Sequence, residues 1–147
     1  MLIGIGALVL ATLFAGAALY ISFVEHPARL ALGDAPALAQ WRTSYKRALP
    51  IQAALAVIGG VAGLAAWHSL GGWEWLAGAI ALLANWPVTL LAIMPTNRRL
   101  FEIAADEATG AGAEGRALLR RWGRLHHIRS ALGALSVLLF WCGLATL

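Results

Sequence analysis

Four short groups in this 147-residue chain carry side chains that can do chemistry. Glu25-His26-Pro27 sets a carboxylate beside an imidazole. Trp41-x-x-x-Tyr45, with Gln52 further on, supplies a phenol and an amide. Asn97 follows Pro95-Thr96. Trp122-x-x-x-His126-x-x-Arg129 supplies an aromatic ring, an imidazole and a guanidinium. On a helix, Trp122, His126, Arg129 and Gly133 fall within about 60° of one another, so they share a face, whereas His127 points about 100° away. Trp41, Tyr45, Gln52, Gly59 and Gly63 form a second stripe, whose phase Pro50 can disturb and which packing alone would also explain. A carboxylate, an imidazole, a phenol and a guanidinium are the groups that exchange protons and hold developing anions. The plainer reading is a solvated interfacial Glu25, an interfacial His126 and a snorkelling Arg129.

The elements that must position these groups are membrane helices. The chain is 61% apolar and 12% charged, with a mean hydropathy of +0.75. Soluble domains carry about twice that charge. The balance excludes a disordered chain, a nucleic-acid-binding domain and an ordinary soluble enzyme. One cysteine excludes an intrachain disulfide or a Cys-based zinc site. Apolar runs lie at about residues 2–24, 49–67, 73–94 and 130–147, each near the ~20 residues that cross a bilayer. The first reads as a span and not a cleaved signal peptide, because it lacks a basic leader and Glu25-His26-Pro27 follows in place of a cleavage site. Pro27 is expected to end it, and to spoil any Glu25–Arg29 pairing. The expectation is a single all-α integral membrane domain over 1–147, an antiparallel four-helix bundle.

All 11 basic residues fall in the first and third connections. Lys and Arg stay on the cytoplasmic side, which predicts both termini outside, two helical connections in the cytoplasm, and location in the cell inner membrane. The net charge of +4 then reports topology and contact with anionic lipid. Trp67, Trp73 and Trp75 are expected in the outer aromatic belt, Trp41 and Trp122 in the inner one, and Trp86 and Trp141 in packing. Gly59-x-x-x-Gly63 and Ala77-x-x-x-Ala81 would let helices approach, and such faces could also support an oligomer. Pro87 should kink the third span, and Asn85 should bond a neighbouring helix. Thr96 or Asn97 should cap a short helix over 98–108 that breaks at Gly110-Ala111-Gly112. From Glu114 a helix should run straight into the fourth span. Likewise Asp34-Ala35-Pro36 should open a short segment to about Arg47, leading through Pro50 into the second.

In order and spacing, four blocks resemble the anthrone oxygenase family of small four-span membrane proteins. They are Phe23-Val24-Glu25-His26-Pro27, Trp41-x-x-x-Tyr45, Pro95-Thr96-Asn97-x-x-Leu100 and Trp122-x-x-x-His126-x-x-Arg129. Most members of that family, especially in bacteria, have no assigned function. The resemblance implies oxidation of a lipophilic anthrone-like aromatic. An anthrone has an acidic C–H bond, and its enolate itself reduces O2, so no cofactor beyond O2 is obligatory. Glu25, His126, Arg129 and Tyr45 would then be catalytic. His26, Trp41, Gln52, Asn97 and Trp122 would bind the substrate in a cytoplasmic-side polar pocket above an apolar floor. Two alternatives stay open: iron, copper or haem held by His26, His126 and Glu25, or a non-enzymatic subunit that binds lipid or quinone. The expected partners are membrane lipid and a lipophilic small molecule, with no nucleic acid.

Overall fold

A computed structural model describes residues 1–105 and 112–147. Its elements are α1 (Leu2–Tyr20), a π-helical turn (Ile21–Glu25), α2 (His26–Leu30), α3 (Asp34–Leu70), α4 (Trp73–Leu83), α5 (Asn85–Pro87), a second π-helical turn (Val88–Ile93), α6 (Met94–Ala105) and α7 (Gly112–Ala145). They make four rods, Leu2–Leu30, Asp34–Leu70, Trp73–Ala104 and Gly112–Ala145, each long and apolar enough to cross a membrane. Each rod packs on its neighbours in sequence, and α7 closes the square against α1. The rods exceed the apolar runs because hydropathy marks only the stretch that faces lipid, while hydrogen bonding carries the helix on. The tight second connection rests on Gly71 and Gly72, whose φ values of 75° and 80° suit residues without a Cβ.

Pro27 does not end the first rod. The Ile21–Glu25 turn precedes it, and His26 stays helical at φ −68°, ψ −43° with its N–H bonded to the Ile21 carbonyl. Proline offers no N–H, and its ring crowds the carbonyl four residues back. Widening the preceding turn to an i→i−5 bond relieves that clash. Val88–Ile93 repeats the device before Pro95, where the Met94 N–H bonds the Thr89 carbonyl. Pro50 sits inside α3, so the separate segment expected to end near Arg47 is one continuous helix with the second span. The helix expected over 98–108 likewise begins at Met94, continuous with the third rod, and is described to Ala105. The predicted break at Gly110 lies outside the described residues. Neither proposed cap acts as one. Asn97 bonds Tyr45, and the buried Thr96 hydroxyl has no partner.

Near Pro87 the third rod is interrupted as expected: α4 stops at Leu83, and the π-helical turn follows Pro87. Asn85 departs from expectation. Its Nδ2 donates to the Leu82 carbonyl of its own rod at 2.9 Å, and it reaches no neighbouring helix. The interrupted backbone leaves local carbonyls for it to serve.

Two clusters fill the interior. Phe14, Trp75, Leu82 and Phe140 occupy one, toward the Gly71–Gly72 turn. Trp41, Ile93, Leu100 and Trp122 occupy the other, toward the Arg-rich end. Glycines admit the large rings. A Cβ on Gly63 would lie 2.5 Å from Phe140, and one on Gly143 would lie 2.7 Å from Trp75. The tryptophan assignments are therefore partly reversed. Trp67 and Trp73 are exposed as belt residues should be, but Trp75, Trp41 and Trp122 are buried, whereas Trp86 and Trp141 face outward. Depth along a span does not reveal which face a ring takes.

Candidate functional site

The irregular turns have consequences at the Arg-rich end. The Ile21–Glu25 turn carries Ser22, which faces α7 and sits between two of its side chains. Ser22 Oγ is 3.0 Å from His126 Nδ1 and 2.8 Å from Ser130 Oγ. Ser130 Oγ in turn donates to the Ala18 carbonyl at 3.0 Å. A carbonyl only accepts and each hydroxyl has one proton, so the protons can be assigned. Ser130 gives its proton to Ala18, Ser22 gives its own to Ser130, and Nδ1–H donates to Ser22. In the neutral His126 ring this leaves Nε2 with a free lone pair. Trp122 stacks on the same ring, 4.8 Å between centroids.

Below His126 on the same face lies Arg129, 7% exposed. Its NH2 donates to Gln52 Oε1 at 2.9 Å, and its guanidinium lies 5.6 Å from the Phe14 ring. Its Nε has no partner. Among the described residues no carboxylate pairs with it. A buried cation without a counter-ion is unfavourable in a low-dielectric interior and marks a place where negative charge would be welcome.

Arg29 shows the contrast. Its NH2 reaches Glu25 Oε1 at 2.5 Å, across the proline expected to prevent that pairing. Ser44 and Gln40 donate to the same carboxylate oxygen, Arg29 Nε donates to Gln40 Oε1, and Arg29 lies 5.5 Å from the Trp122 ring. This pair is neutralised and bonded on all sides. Breaking a buried pair leaves one charge uncompensated, at a cost of about 3–5 kcal/mol. Glu25→Gln is therefore expected to lower stability by about 3 kcal/mol, at the lower end because Glu25 still reaches solvent. Thermal or denaturant unfolding in detergent checks this, and the double variant Glu25→Gln/Arg29→Met should recover most of the loss.

Two cavities meet at Arg129. A small chamber of about 20 Å3 is lined by Trp41, Tyr45, Gln52, Trp122, His126 and Arg129, and by Arg29 and Ser44 as well. It is the size of a water molecule. A larger cleft of about 260 Å3 lies between α3 and the Asn85–Met94 stretch, and shares Leu49, Gln52 and Arg129 with the chamber. Six of the nine sequence-predicted site residues thus line one chamber. Glu25, His26 and Asn97 line neither cavity. Asn97 Nδ2 donates to the Tyr45 hydroxyl at 2.9 Å, which leaves the phenol proton free to donate elsewhere. His26 packs on Trp122 and against Gly123, and its Nδ1 lies 3.2 Å from Arg29 NH1. Any side chain at Gly123 would run into that ring. Among the described residues no three His, Cys, Asp or Glu side chains group as metal ligands, so the alternative set of His26, His126 and Glu25 is not assembled.

Sequence reading missed Ser22, Ser130, Arg29 and Asn85. Arg29 carries a signal in its place four residues after Glu25, but the proline between them argues against a pair. The serines carried none, since their role depends on the π-helical register.

Comparison with known proteins converges on one family. The family model for anthrone oxygenase matches residues 41–139. A protein of Claviceps purpurea named anthrone oxygenase is 30% identical over 151 residues, covering 95% of this chain and 87% of that protein. Anthrone oxygenase tpcL of Aspergillus fumigatus is 40% identical over 52 residues, 35% of this chain and 32% of that protein. No solved structure matches the chain. With four helices able to cross a membrane, and a match that runs from within α3 through most of α7, the chain belongs to the anthrone oxygenase family.

Proposed function

We propose that this membrane protein oxidises a lipophilic, anthrone-like C–H acid to a quinone with O2 as the oxidant. The observation that carries the reading is the nearness of His126, its Nδ1 tied to Ser22, to a buried Arg129 that has no carboxylate partner among the described residues. The first is a base and the second an anion site, and both line one chamber.

In the first step His126 Nε2 takes the proton from the CH2 carbon beside the rings, and the electron pair moves onto the carbonyl oxygen as an enolate. Arg129 stabilises that oxygen, with Gln52 and Tyr45 as further donors. The enolate then gives one electron to O2, and the radical pair joins to form a C–O bond. The imidazolium returns its proton to the peroxide. A second C–H proton leaves, the O–O bond breaks, and hydroxide departs as water. The balance is one anthrone and one O2 in, one quinone and one water out. Glu25 acts here by fixing Arg29 and does not touch the reacting atoms.

The Arg-rich end is the cytoplasmic one in this reading, with both termini outside and the protein in the cell inner membrane, because lysines and arginines are retained on that side. Membrane lipid and the substrate are its partners, and nucleic acid is not. A second copy would dock through Gly6 and Gly16, which have nothing packed on them.

Purified protein in lipid should consume O2 and form quinone from an anthrone in a 1:1 ratio, at a rate well above that of protein-free lipid. Absorbance and an oxygen electrode measure both. Quinone retained without turnover across a panel of anthrones would instead mark a binding subunit.

A further inference from the structure

The 260 Å3 cleft has walls of Leu49, Ala53, Ala56, Trp86, Leu90 and Met94. Trp86 and Leu90 are exposed on the outer surface of the bundle, so the cleft opens sideways toward lipid. It forms because α4 packs against both α3 and α7, whereas Val88–Ile93 stays on α7 and leaves α3. Four polar side chains line it, and three hold buried atoms without a hydrogen-bond partner among the described residues: Gln52 Nε2, Arg129 Nε and Asn85 Oδ1. Asn85 is 2% exposed and Gln52 3%. The fourth, Thr89, is satisfied by the Asn85 carbonyl at 2.7 Å.

The orientation of Asn85 is fixed. Carbonyls of Leu82 and Ala81 can only accept, so Nδ2 must face them, at 2.9 and 3.5 Å, and Oδ1 must face away. Each buried unmade hydrogen bond is unfavourable, and lipid supplies no donor. Two free donors on one side of the cleft and a free acceptor on the other describe a ligand's polar pattern. It carries an acceptor oxygen at one edge and a hydroxyl donor at another, on an apolar body. A fatty acid fits poorly, because its carboxylate would suit Arg129 but give nothing to Asn85.

Resting on the aromatic-substrate reading above, we infer that this cleft is the lateral portal and binding site for the ring system. Asn85 is its specificity-determining acceptor, selecting rings that carry a free hydroxyl. Gln52 and Arg129, shared by both cavities, hold the carbonyl oxygen, and the ring lies along the boundary so that the CH2 carbon opposite it also faces the chamber lined by His126.

Already oxidised probes separate binding from turnover. Protein in nanodiscs is titrated with 2-hydroxyanthraquinone, with unsubstituted anthraquinone and with oleate, at a pH that keeps the phenol protonated. Binding is read as tryptophan quenching, and Trp86→Phe identifies the share due to Trp86. The hydroxylated probe should bind wild type about tenfold tighter than the unsubstituted one, the worth of one buried hydrogen bond. Asn85→Leu should erase that preference, so that the two probes bind with equal affinity. Ala53→Phe, which fills the cleft and touches no polar group, should weaken both probes at least tenfold. Equal affinities in wild type, quenching unaltered by Trp86→Phe, or displacement of both probes by oleate at lower concentration would overturn the proposal. So would unchanged binding in Ala53→Phe, which also covers the case of an Asn85 variant that does not fold. Probe binding as described, with no turnover of any anthrone, would leave this site standing and remove the oxygenase reading alone.

Discussion

Arg129→Met should lower quinone formation by about 10²–10³-fold, the usual effect of removing one donor to a developing oxyanion, and should leave the bundle as stable as before or more so. The two halves of that expectation have one cause. The guanidinium is buried, its Nε is unpartnered, and no described carboxylate offsets it. Removing such a charge relieves its desolvation cost, which offsets the Gln52 hydrogen bond lost with it. Met keeps most of the volume beside Phe14. Rates are measured from quinone absorbance after subtraction of the protein-free oxidation, and stability from thermal unfolding in the same detergent. A variant that melts early would show Arg129 to be a structural residue held by Gln52. One that melts normally and turns over normally would remove the oxyanion role.

His126→Gln should cost about 10²–10⁴-fold in rate, the range for loss of a positioned general base. Glutamine can still meet the Ser22 hydroxyl through its amide, so the Ser130–Ser22 chain has a partner and the fold survives. It has no lone pair basic enough to accept a proton from carbon. The loss should fall on kcat with little change in KM, because proton removal belongs to the chemical step and not to binding. Wild-type turnover in this variant would move the base elsewhere. Glu25 is a poor replacement, since its Oε1 is already bonded to Arg29, Ser44 and Gln40, and it lines neither cavity.

Together these variants separate two arginines that look alike in sequence. Arg29 and Arg129 each sit three residues after a histidine and are both buried. Arg29 has a carboxylate four residues back on the same rod, so its loss or that of Glu25 reads out as stability. Arg129 has none among the described residues, so its loss reads out as chemistry. Only the contact pattern draws that line.

By itself, the sequence determined the membrane class, the number of helices and the stripe of Trp122, His126 and Arg129. Long apolar runs and the 3.6-residue period are local properties, and burial of an amphipathic stripe follows from them. The family was legible too, because four short blocks keep their order. What the sequence could not determine was register and facing. A helix that meets proline can stop or widen, and the choice depends on whether neighbouring rods bury the continuation. Here both π-helical turns carry the chain through, and one of them brings Ser22 to His126. Tryptophan depth was readable but not tryptophan direction, which is set by where glycines on other rods leave room. The cleft beside Asn85 was equally hidden. It exists because the third rod packs on both α3 and α7 through α4 but leaves α3 after Pro87, and how two rods diverge in space is a property of packing that no spacing of residues records.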